Sequence, residues 1–272
     1  MMFQLLLLAF FGMLTACIQV PSQQERNDYA QQLVQKKGWK QENILTDDFI
    51  LRAYLPQTIQ TSAVLTVYIE GDGLAWVNSS TPSFDPTPHD PLALKLALLD
   101  TTPAVYLARP CQYVVGEDRR GCGEKYWTSH RFSSEVIHSS SQAIDQLKQR
   151  FGAKELILVG YSGGGAVAAL VAAQRQDVVR LITIAGNLDH YFWSKAHHMT
   201  PLFGSLNPAD AADRLQNIPQ LHYVGGSDQA VGESVARAYA SQFPLGKRPT
   251  IVVVPDFDHH CCWVERWPSL KK

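Results

Sequence analysis

The chain predicts an α/β architecture, a mostly parallel sheet with helices on both faces. Three observations carry this. Short β-branched and apolar runs recur along the chain, and they are continuous rather than alternating, the mark of strands covered on both faces. Segments with helical spacing of apolar residues separate them. With 272 residues, 46% hydrophobic, and ten Tyr, eleven Phe and six Trp, the chain can bury a large core, which excludes wholesale disorder. The length suits one large domain.

From Ser22 to Gln41 the chain is polar and Gln-rich, as expected of a tether followed by a short helix. Residues 63–70 (AVLTVYIE) form the first expected strand, ending in Gly71-Asp72-Gly73, and residues 104–108 the second. A helix should open at Ser133-Ser134-Glu135, carry Ile137, Ser140, Ile144, Leu147 and Phe151 inward, and stop at Gly152. Residues 156–159 then read as strand, 166–174 as helix and 178–185 as strand. Strands at 220–224 and 250–254 flank a helix near 233–242. The stretch 186–213 holds Trp193, His197, His198, Pro201 and Pro208 and reads as a cap-like insertion.

Chemistry gathers at strand ends. Gly160-Tyr161-Ser162-Gly163-Gly164 is a G-x-S-x-G between the strand LILV and a helix of small residues. Such a sharp strand-to-helix turn presents the serine hydroxyl beside free helix N–H groups. Serine is a weak nucleophile without a base, so a histidine oriented by a carboxylate is required. Asp228 follows the strand at 220–224, and His259 and His260 follow the strand at 250–254. All therefore fall on the carboxyl edge of one sheet, where open α/β sheets bind ligands. His259 is favoured over His260 as base. Asp228 could instead cap a helix starting near Ala230, and Asp189 or Asp210 could supply the acid, though both lie in the cap-like stretch. Asp256 and Asp258 read as loop formers.

The Glu70-Gly71-Asp72-Gly73 loop should complete an oxyanion hole, the backbone N–H of Asp72 joining that of Gly163. The Asp72 carboxylate would then have to point away or bind a cation. This chemistry calls for a small-molecule acyl substrate and no cofactor. His259, His260, Cys261 and Cys262 are consecutive, which is poor chelate geometry for a metal.

Lys and Arg number 24 against 25 Asp and Glu, with no long basic run, which argues against a nucleic-acid binder. No charged side chain precedes Glu25, and residues 1–16 form an apolar run of signal-peptide length. Leu14-Thr15-Ala16-Cys17 resembles the lipobox of bacterial lipoproteins. That resemblance implies cleavage before Cys17, lipid modification of the freed cysteine, and anchorage by several acyl chains. With Ile18 rather than Asp after the cysteine, it implies the outer membrane, facing the periplasm. An ordinary cleaved signal, or a hydrophobic anchor with a coincidental cysteine, is the alternative. Cys111 and Cys122 flank a polar loop that a disulfide could close. Cys261 and Cys262 could pair with each other or stay reduced and buried.

The segments YIEGDGLAW, LARPCQYV, YWTSHRF, LVGYSGGGAVAAL, AGNLDHYFW, GSLNPAD, VGGSDQAV and FDHHCCW together resemble a group of bacterial alpha/beta-hydrolase lipoproteins. The resemblance spans about Val67 to Trp263. It implies an alpha/beta-hydrolase domain over 42–272 and a triad of Ser162, Asp228 and His259, the family pattern reading F-D-H-x-C-C-W. It also implies Arg109, Trp127 and Arg131 as site residues. The expected activity is serine esterase chemistry, with a non-catalytic binding lipoprotein or thiol chemistry at Cys261-Cys262 as rivals.

Overall fold

The computed structural model describes residues 20–271. The leader expected over residues 1–16 and the lipidation expected at Cys17 lie outside the described residues. Among those described, no helix is long and apolar enough to cross a membrane.

Eight strands form one sheet: β1 (Trp39–Leu45), β2 (Ile50–Pro56), β3 (Val64–Ile69), β4 (Ala104–Leu107), β5 (Glu155–Tyr161), β6 (Val178–Ile184), β7 (Gln220–Gly225) and β8 (Thr250–Val254). Their order is β1-β2-β4-β3-β5-β6-β7-β8. β1 and β2 pair antiparallel, as do β2 and β4, and every later pairing is parallel. The helices are α1 (Gln23–Gln35), α2 (Leu92–Ala97), α3 (Ser134–Phe151), α4 (Gly163–Ala172), α5 (His190–Ala196), α6 (Ala212–Leu215), α7 (Gly232–Ser241) and α8 (Trp263–Leu270).

The continuous apolar strands have the two-sided burial expected of them. Leu65, Val67 and Ile69 of β3 join one core with residues of α3, α4 and α7, while Tyr68 joins the other with residues of α1, α2 and α8. Ile137, Ser140, Ile144, Leu147 and Phe151 are all buried along α3, and Gly152 ends it in the left-handed region at φ 62°.

Several elements, β1, β2, α2 and α8 among them, were not foreseen. β1 is an edge strand whose side chains mostly face out, so WKQENIL shows no apolar run. It starts at Trp39, inside the segment read as tether and helix, and it orders β2 by a hairpin. α2 is only six residues long, and α8 carries Pro268 in its body, both weak helical signals. The polar N-terminal segment does hold a helix. Ser22 Oγ accepts from the Glu25 N–H while Glu25 accepts from the Ser22 N–H, a reciprocal cap that starts α1. Arg26 then anchors α1 to Asp85 at 2.8 Å.

β3, β5, β7 and β8 run in one direction. Asp72, Ser162, Asp228 and His259 each follow one of them within seven residues, so four distant segments of sequence meet at one sheet edge.

Candidate active site

Ser162 is held where side chains rarely sit, at φ 50° and ψ −120°, between β5 and α4. Close approach makes this turn possible. A Cβ on Gly164 would lie 2.3 Å from the carbonyl oxygen of Ile69, so only glycine lets α4 pack this near β3. The Ser162 N–H donates to the Ile184 carbonyl at 2.9 Å, and its carbonyl accepts from the Asn187 N–H at 3.1 Å. The strained residue is thus tied to the end of β6 from both sides.

Ser162 Oγ lies 3.0 Å from His259 Nε2, and His259 Nδ1 lies 2.8 Å from Asp228 Oδ2. The Asp228 side chain is fully buried and that of His259 is 12% exposed. Asp228 also orders the turn ahead of α7, its Oδ1 accepting from the N–H groups of Ala230 and Val231 at 2.8 and 3.0 Å, but α7 starts at Gly232 with Val231 as its N-cap, so Asp228 is not the helix cap. Burial pushes its pKa up, but the His259 hydrogen bond and charge and these two N–H donors outweigh that and hold it below the usual carboxylate value. Asp189 is occupied as the cap of α5, accepting from the Phe192 N–H, and Asp210 meets Asn207. Neither bonds a histidine.

The HHCC run divides. His260 turns to the Tyr161 hydroxyl at 3.0 Å, while the same hydroxyl donates to the His259 carbonyl at 3.2 Å. Asp258 Oδ1 accepts from the N–H groups of His260 and Cys261, as a loop former should. The sulfurs of Cys261 and Cys262 pair with each other, and Cys261 is exposed, so these cysteines are neither reduced nor buried. Cys111 and Cys122 pair as well, with Cα atoms 5.5 Å apart.

Asp72 does not point away from Ser162. A Cβ on Gly163 would meet its Oδ1 at 2.1 Å, so the carboxylate lies directly over the first residue of α4. The cations it binds are two arginines, Arg109 Nη1 at 3.1 Å and Arg131 Nη1 at 2.7 Å. Burial would raise its pKa, but Arg131 and Arg109 more than offset this and keep the carboxylate ionised. Trp127 sits behind the clamp, donating to the Ser83 carbonyl at 3.0 Å. Among the described residues the backbone N–H groups of Asp72 and Gly163 donate to nothing.

Sequence reading passed over two side chains here. Tyr161, inside the G-x-S-x-G itself, braces both histidines. Glu70 is fully buried, and burial pushes its pKa up to about 7 against the Gly71 and Ala93 N–H groups that pull it down. Both line a cavity of about 110 Å³ with Ser162, His259 and His260.

Strand order, elbow and loop placement now decide the architecture. This is the alpha/beta-hydrolase fold. A family model described as alpha/beta hydrolase fold matches residues 104–201. Among solved structures, Est1E from Butyrivibrio proteoclasticus superposes with a TM-score of 0.57 at 16% identity, over 85% of this chain and 96% of that one. An esterase from Pyrococcus furiosus gives 0.58 at 14% identity, over 85% and 87%. A putative dienelactone hydrolase from Klebsiella pneumoniae gives 0.57 at 17% identity, over 84% and 88%. Identities this low speak for the fold alone. Comparison with curated proteins finds no match.

Proposed function

We propose that the protein is a serine hydrolase acting on carboxylic esters through Ser162, His259 and Asp228. The observation that carries this is the unbroken hydrogen-bonded line from Ser162 Oγ through His259 to a buried Asp228, at 3.0 and 2.8 Å. His259 Nε2 takes the Ser162 proton as Oγ attacks the carbonyl carbon, and Asp228 fixes the ring so that Nε2 faces the serine. The negative charge that develops on the carbonyl oxygen falls to the N–H groups of Gly163, at the start of α4, and Asp72. Proton return from His259 releases the alcohol, and a water activated by the same nitrogen frees the acid. The fold neighbours include both esterases and acylaminoacyl peptidases, which supports acyl hydrolysis without choosing between ester and amide.

The lipobox-like Leu14-Thr15-Ala16-Cys17 supports anchorage by acyl chains on Cys17, with the enzyme on the periplasmic side of an outer membrane. Kinetics of the Ser162→Ala protein test the hydrolytic reading. Turnover of p-nitrophenyl acetate should fall to near the uncatalysed rate. Wild-type turnover in that variant would end the proposal.

A further inference from the structure

The arginine clamp holds more positive charge than its carboxylate can balance. Arg109 and Arg131 both pair with Asp72, and the side chains are 5% and 8% exposed. Two guanidiniums thus face one carboxylate in a site that water scarcely reaches. Arginine stays charged in such surroundings. Buried charge is normally paired; Glu70 acts on Arg109 from farther off, and among the described residues Asp72 is the one carboxylate in ion-pair contact with either arginine.

The two arginines differ in what they leave open. Arg109 turns inward: Nη2 donates to the Arg131 carbonyl, and burial lowers its pKa, a shift the Asp72 charge only partly offsets. Arg131 uses Nε on the Thr128 carbonyl at 2.8 Å and Nη1 on Asp72 at 2.7 Å. Its Nη2 bonds to nothing among the described residues. Arg131 also lines a cavity of about 740 Å³, of the size that takes small organic ligands. Trp76, Trp193, Met199 and Leu202 give that cavity apolar walls, and no Asp or Glu lines it. His198 is the other titratable group there.

The cavity is hooked to the reaction centre on both sides. Through Arg131 it reaches Asp72, whose carboxylate covers Gly163 next to the nucleophile. Through Trp193, whose Nε1 donates to the Ala230 carbonyl at 2.8 Å, it reaches the loop whose Ala230 N–H is bound by Asp228. Asp72 lines the smaller cavity that holds Ser162 and Arg131 lines this larger one, so the two adjoin at the Asp72–Arg131 pair.

We propose that this cavity is the acyl subsite and that it selects acyl chains bearing a distal carboxylate, which Arg131 Nη2 receives. The substrate class is the half-ester of a dicarboxylic acid. Hydrolysis consumes one water and releases the dicarboxylic acid and an alcohol. The inference rests on Ser162 being the nucleophile.

Two 4-nitrophenyl esters test it, that of suberic acid with its far carboxylate free and that of the suberic monoamide, nearly the same shape without the charge. The wild-type protein should favour the carboxylate by at least tenfold in kcat/KM, with the difference mainly in KM. Arg131→Lys should keep part of the preference, and Arg131→Gln should bring the ratio of the two esters to about one. Thr200→Glu, which adds a carboxylate to the cavity rim and leaves Asp72 alone, should also lower the ratio. Calorimetric titration of the Ser162→Ala protein with the same intact esters reads binding without turnover, and the carboxylate ester should again bind at least tenfold more tightly. Equal kcat/KM for both esters, or equal binding, overturns the subsite while leaving Ser162 as nucleophile. Preferential binding with no hydrolysis by the wild type would retain the anion site and remove the esterase reading.

Discussion

Asp228 divides its carboxylate between two tasks, Oδ2 on His259 Nδ1 and Oδ1 on the Ala230 and Val231 N–H groups. Asparagine can keep the second task with its own carbonyl oxygen, but not the charge that stabilises an imidazolium. Asp228→Asn should therefore lower kcat by about 10³–10⁴ while the thermal midpoint moves by only a few degrees. Steady-state kinetics with a melting curve checks both. A matching collapse of the midpoint would mean Asp228 acts chiefly as a loop cap. Residues of this kind were legible in sequence because strand ends place them: Ser162, Asp228 and His259 each follow an apolar run. Geometrically it is His259 Nε2 that faces Ser162, while Tyr161 draws His260 aside. The Asp72 clamp was not derivable in this way. Its partners stand 37 and 59 positions away, and no periodicity records a side-chain pairing across such distances.

At the scale of elements, buried parallel strands and long amphipathic helices announced themselves, whereas the edge hairpin and the short helices did not. β1 needs no apolar run because its partner β2 covers one edge and solvent meets most of its side chains. The loop between β4 and α3 is held differently. Cys111 is fully buried with φ 74°, and its bond to Cys122 closes a loop of sequence separation 11. This segment also contains Gln112, which bonds the Gly71 carbonyl at 2.9 Å, and so supports the loop carrying Asp72. Replacing both cysteines by serine should cost about 3 kcal/mol of unfolding free energy on the chain-entropy scale. Urea denaturation measures it, and no change in midpoint would show the loop is ordered without the bond.

For the molecule as a whole, Glu70 links stability to pH. It is buried at the end of β3 beneath the site, facing Tyr106, Tyr113 and Tyr161, with Arg109 beyond, and its pKa is raised from 4.5 to about 7. A carboxyl whose pKa rises on folding is penalised where the unfolded chain would ionise it. The penalty is absent below about pH 4.5, grows through the window up to 7 and is complete above it, reaching about 3 kcal/mol for such a shift. Glu70→Gln should therefore gain stability relative to wild type as pH rises from 5 to 7.5. Parallel pH curves for the two proteins in urea titrations would exclude Glu70 as the source. The sheet, its helical layers and the meeting of four loops at one edge all make sense as a scaffold that holds one serine ready. Peptide mapping after treatment with a fluorophosphonate tests that most directly. One adduct on Ser162, lost in Ser162→Ala and strongly slowed in His259→Ala, is the expected result; an adduct on another residue, or undiminished labelling of Ser162→Ala, would contradict it.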